Sequence, residues 1–82
     1  MKKISVNRVI HGHSGISMRA TINAVYACGD RIKSYVEVIR DDGEKIKISK
    51  LSIGDRSKIH KIAKETLREM DILNSNKTIG EL

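Results

Sequence analysis

From residue 16 to residue 28 the chain alternates without a break. Ile16, Met18, Ala20, Ile22, Ala24, Tyr26 and Cys28 stand on one side, and Ser17, Arg19, Thr21, Asn23, Val25 and Ala27 on the other. A period of two sends successive side chains to opposite faces of an extended strand, so this run predicts a half-buried β-strand. Gly29-Asp30 then predicts a tight turn. Residues 31–40 predict the partner strand, with Ile32, Ser34, Val36 and Val38 on one side and Arg31, Lys33, Tyr35, Glu37 and Ile39 on the other. Asp41-Asp42-Gly43 predicts a three-residue hairpin loop with Gly in the left-handed position. Residues 44–49 return as a strand with Ile46 and Ile48 inward. Residues 4–10 predict a first strand whose apolar side is Ile4, Val6 and Ile10. Arg8 interrupts that side, which points to a sheet edge, and His11 to Gly15 predict a loop.

The same pattern predicts register. A three-residue loop sets Arg40 opposite Glu44, Val38 opposite Ile46, Val36 opposite Ile48 and Glu37 opposite Lys47, the last a favourable cross-strand pair. Between the second and third strands an odd loop is expected, with Cys28 opposite Ile32, Ile22 opposite Val38 and Ala24 opposite Val36. An even loop would bring Ile22 against Glu37, because a slip of one residue exchanges the faces. Residues 55–73 predict a helix started by Asp55 or Ser57 after Gly54. Ile59, Ile62, Ala63, Thr66, Leu67, Met70 and Leu73 make its apolar stripe. The expected fold is α+β: an antiparallel four-stranded β-meander with one C-terminal α-helix packed on one sheet face. It forms a single β-β-β-β-α domain over 1–73, followed by a flexible polar tail over 74–82 in which Ile79 and Leu82 can anchor on a partner.

Composition bounds this picture. In 82 residues there is no Pro, Trp or Phe and there are only two Tyr, so the core is small and aliphatic. A homodimer that buries an edge strand or part of the helix would relieve that shortage. One Cys excludes a disulfide scaffold and a Cys-rich zinc module. No apolar run reaches the ~18 residues of a membrane span, and Met1-Lys2-Lys3-Ile4 lacks the apolar stretch of a signal peptide. A cytoplasmic protein is expected.

Sixteen Lys and Arg against ten Asp and Glu leave a net charge of +6, a bias toward polyanions. The predicted register gathers Arg19, Thr21, Asn23, Arg31, Lys33, Tyr35, Glu37, Lys45, Lys47 and Ser49 on the sheet face turned from the helix. Its cations suit phosphates, its hydroxyls and amide suit phosphate or base edges, and Tyr35 suits stacking on an unpaired base. The competing reading is a solvated face whose cations serve solubility and protect edges. Lys58, Lys61, Lys64 and Arg68 form a secondary basic strip on the helix, mixed with Glu65, Glu69 and Asp71 as on a solvated surface.

Catalysis finds little support. His11 and His13 flank Gly12 without a carboxylate or thiol beside them, so no metal or cofactor is expected. Cys28 lies on the inward side of its strand, where a lone Cys is packing. No acid–base pair is fixed beside a nucleophile, and the chain is expected not to be an enzyme.

The element order over about 16–73 resembles the three-stranded-sheet-plus-helix DNA-binding domains of phage and transposon integrases, which use the sheet face opposite the helix. Length, basic charge and the Ile- and Lys-rich composition resemble small early proteins of T4-like bacteriophages. That resemblance implies a phage protein that binds and neutralises a host factor such as a toxin–antitoxin ribonuclease, possibly together with RNA. Two functions are therefore expected: a small nucleic-acid-binding protein, RNA before DNA, or an inhibitor of a host protein acting in the host cytoplasm.

Overall fold

Four antiparallel strands lie side by side in chain order and one long helix crosses one face of the sheet. The strands are β1 (Lys2–His11), β2 (Ser17–Ala27), β3 (Asp30–Arg40) and β4 (Lys45–Ile46), and the helix is α1 (Ile53–Gly80). The computed structural model describes residues 1–80, apart from the side chains of Ser14 and of 75–80. The four-stranded meander closed by a C-terminal helix is the expected architecture, and β1 is an edge strand, as Arg8 implied. The helix continues through Asn74, where the sequence placed the start of the tail. The expected anchoring role of Ile79 and Leu82 lies outside the described side chains.

The β2–β3 hairpin differs from expectation in an instructive way. Its turn has two central residues, Cys28 and Gly29, between the paired Ala27 and Asp30. Both have positive φ, 54° and 86°, the condition for the tight turn whose twist matches the flanking strands. Two residues alone would put the apolar faces out of phase. A bulge corrects this: Val25 pairs with Lys33 but Tyr26 pairs with Arg31, so Ile32 has no partner and stands 57% exposed. Beyond the bulge Ile22 meets Val36 and Ala20 meets Val38, two residues from the expected register and on the same face. Cys28 is an exposed turn residue, not an inward one.

The β3–β4 hairpin follows the expected register at its base. Val38 pairs with Ile46, Arg40 N donates to Glu44 O at 2.9 Å and Gly43 N to Arg40 O at 2.9 Å. Gly43 takes φ of 87° as foreseen. Strand β4 ends after Ile46, short of the expected 44–49. Lys47 leads into a 3-10 turn over Ile48–Lys50, and the chain leaves the sheet to reach α1.

Helix α1 starts at Ile53 with Ser52 as its cap, not Asp55 or Ser57. Ser52 Oγ accepts from Asp55 N at 3.2 Å, satisfying one of the free N–H groups of the first turn. Asp55 instead reaches across, its Oδ1 accepting from His13 N at 3.0 Å, and ties the β1–β2 loop to the helix start. From there Ile59, Ala63, Thr66 and Met70 bury against Ile10, Met18, Ala20, Ile22, Ala24, Tyr26 and Val38. Leu73, expected on that stripe, is 67% exposed. Farther along α1, Asn74 Nδ2 donates to Gly29 O at 3.1 Å, level with the hairpin turn.

Tyr26 is the one aromatic ring in this core, 3% exposed, and its hydroxyl donates to Asp71 Oδ1 at 2.6 Å. Burial first, and the Asp71 carboxylate second, push its phenol up to about 12. A phenol raised in the fold stabilises the protein while it is protonated. That contribution is complete below the ordinary value of 10.0 and is lost as pH rises through about 12. Tyrosinate absorbance of the wild type minus that of Tyr26→Phe should therefore titrate near pH 12. A difference midpoint near 10 would place this ring in water.

Candidate nucleic-acid interface

The face turned from α1 is built of rows that run across three strands. Lys3, Val25 and Lys33 form the first row, Ser5, Asn23 and Tyr35 the second, Asn7, Thr21 and Glu37 the third, and Val9, Arg19 and Ile39 the fourth. Lys45 extends the last row onto β4. Pairing of β1 with β2 from Lys2 to His11 brings Lys3, Ser5 and Asn7 into this face. These three were not foreseen, although Ile4, Val6 and Ile10 already fixed their side of the strand.

Polar side chains tie the rows together. Ser5 Oγ donates to Asn23 Oδ1 at 2.6 Å and Thr21 Oγ1 to Asn7 Oδ1 at 2.7 Å. Asn23 Nδ2 lies 3.3 Å from Thr21 O and 3.4 Å from Glu37 Oε1. Asn23 is only 2% exposed despite its place on the outer face. Its polar atoms are committed within the sheet, so it braces the face instead of offering a contact. Glu37 pairs with Lys45 Nζ at 3.4 Å, not with Lys47 as expected.

Tyr35 lies at the centre of the cations. Lys3 Nζ and Lys33 Nζ stand 5.5 and 5.6 Å from its ring centroid, within the range of cation–π attraction. Lys3 is two strands away from Tyr35, a separation of about 9–10 Å. The ring must therefore reach across β2 toward β1, over the row that holds Asn23. Tyr35, first through a hydrogen bond and then through charge, pushes the Lys3 ammonium above its usual value. The result is a half-buried aromatic ring between two exposed ammonium groups.

Of the expected contact residues, Arg19, Thr21, Lys33, Tyr35 and Lys45 share this face, with Asn23 buried beneath them. Arg31 does not. The bulge at Ile32 turns Arg31 to the helix side, where its Nε lies 3.3 Å from Asp71 Oδ1. Lys47 and Ser49 lie beyond the last ladder pair. In the helix strip, Lys58 Nζ donates to His11 O at 3.0 Å. Lys61, Lys64 and Arg68 border grooves on the helix side, in company with Arg31. The cations thus form two surfaces separated by the sheet.

Among the described residues no three His, Cys, Asp or Glu side chains converge as a metal set, and no helix is long and apolar enough to cross a membrane. Comparison with known proteins returned no matching family model, no matching curated protein and no matching solved structure.

Proposed function

We propose that the chain is a non-enzymatic binding protein for single-stranded nucleic acid, RNA before DNA, and that it binds through the sheet face opposite α1. The observation that carries this reading is the Tyr35 ring held between the Lys3 and Lys33 ammonium groups. A base stacked on the ring would carry its own phosphates toward the two cations. Arg19 supplies a third cation two rows away. Glu37, the acid of this face, is already paired with Lys45. A sheet face that presents an aromatic ring beside two cations suits unstacked bases, which are far commoner in RNA loops and tails than in duplex DNA. Braced by Ser5, Asn23 and Glu37, this platform would keep its form on binding.

The test is binding of labelled oligouridylate and of duplex DNA across a salt series. Single strands give a slope of about −0.7 in log K against log salt per phosphate neutralised, so Lys3, Lys33 and Arg19 together predict a slope near −2. Tyr35→Ala should weaken oligouridylate binding about tenfold, from a stacking contribution of ~1–3 kcal/mol per base. Equal binding by wild type and Tyr35→Ala, or a preference for the duplex, would overturn the reading.

A further inference from the structure

Helix α1 packs over β1 and β2 and leaves the helix side of β3 partly open. The opening is a groove of about 650 Å³ between α1 and β3. Val36 and Leu67 supply aliphatic surface within it, and Arg31, Lys61 and Lys64 border it. Ser34, Tyr35 and Val36 all line it. Consecutive strand residues point to opposite faces, so a groove that touches all three is walled by the edge of the strand itself.

That edge is unfilled. Strand β4 pairs with β3 only at Val38 and Ile39, so over residues 31–36 the side of β3 turned away from β2 has no strand partner among the described residues. Alternate N–H and C=O groups there are available for another strand. An open edge, an aliphatic floor and a cationic rim therefore coincide. Lys61 and Lys64 have no ion pair among the described residues, whereas the neighbouring Asp71 is held by Arg31 and Tyr26.

We propose that this groove docks an extended acidic segment of a partner protein, which adds to the edge of β3 as a further strand. Main-chain hydrogen bonds would supply affinity, as in other cases of strand addition. Alternate apolar side chains of the segment would cover Val36 and Leu67, and its carboxylates would meet Lys61 and Lys64. A second copy of this chain fits less well: its own long free edge, β1, carries Lys2, Lys3 and Arg8 and no acid. A phosphodiester backbone would leave the aliphatic floor uncovered. The inference does not rest on the proposed function, which uses the other face, although Tyr35 borders both surfaces.

The probe is a labelled, end-blocked octapeptide of alternating Glu and Val, titrated into the full chain beside its Lys and Val counterpart. The acidic peptide should bind saturably and the basic one should not. Lys61→Glu with Lys64→Glu should weaken acidic-peptide binding tenfold or more, and so should N-methylation of alternate peptide amides. Oligouridylate binding should fall far less than peptide binding in that double variant, through the lowered net charge alone. Equal binding of the two peptides, indifference to N-methylation, or indifference to the double variant would each overturn the proposal. A double variant that loses oligouridylate but retains the peptide would do so as well, and would assign the groove to RNA.

Discussion

Reversing two charges, Lys3→Glu together with Lys33→Glu, should reduce binding of single-stranded RNA about a hundredfold. Each reversal removes a cation beside Tyr35 and puts a carboxylate where a phosphate would lie. A loss of ~1.4 kcal/mol per position is a factor of ten in affinity. Both side chains are exposed, so the fold should be unaffected. Lys47→Glu makes a useful contrast. Lys47 lies beyond the last ladder pair, and its reversal should change affinity far less than either of the other two. Equal losses at Lys3, Lys33 and Lys47 would indicate attraction to net charge alone.

The second large effect concerns stability. Ile22 is fully buried at the centre of β2, between Val6 and Val36 and beneath α1. Ile22→Ala should cost about 2–5 kcal/mol, the usual range for such a truncation. A chain of 82 residues has a stability on the order of 4–12 kcal/mol at about 0.05–0.15 kcal/mol per residue. The variant should therefore melt at least about 10 °C below the wild type, if it folds at all. Ile32→Ala is the matched control. Ile32 occupies the bulge and is 57% exposed, so its truncation should stay within about 0.5 kcal/mol. Thermal melts of both variants would read this contrast directly. Similar losses at the two positions would contradict the bulge.

That contrast also shows what the amino-acid pattern could and could not reveal. The alternation in β2 and the Asp-Asp-Gly loop were enough to order the strands and to orient β2, because each follows from local backbone geometry. The bulge left no comparable mark. Ile32 has the chemistry of an inward residue, and only the two-residue turn at Cys28–Gly29 makes it the odd one out. Once that turn is adopted, the bulge restores the apolar phase and transfers Arg31 to the helix side. The short β4 was concealed for a related reason. Ile46 and Ile48 alternate as in a strand, yet both can pack against the core while the chain turns toward α1.

The candidate interface was legible where it depended on β2 and β3. Arg19, Lys33 and Tyr35 stand on one face by alternation alone. The contribution of β1 required its pairing with β2, a contact between residues far apart in sequence. Lys3 entered the site by that route. The burial of Asn23 required more still, since it depends on Ser5 and Glu37 arriving from two different strands. Its amide looks like a ligand contact in the sequence and is a brace in the fold.

The most direct test of the central claim is a map of backbone amide shifts as a short oligouridylate is added to the protein at low salt. The account predicts the largest changes at Lys3, Arg19, Lys33 and Tyr35, with the outward residues of α1 unmoved. Changes confined to α1 and the groove beside β3, or no changes at all, would contradict it.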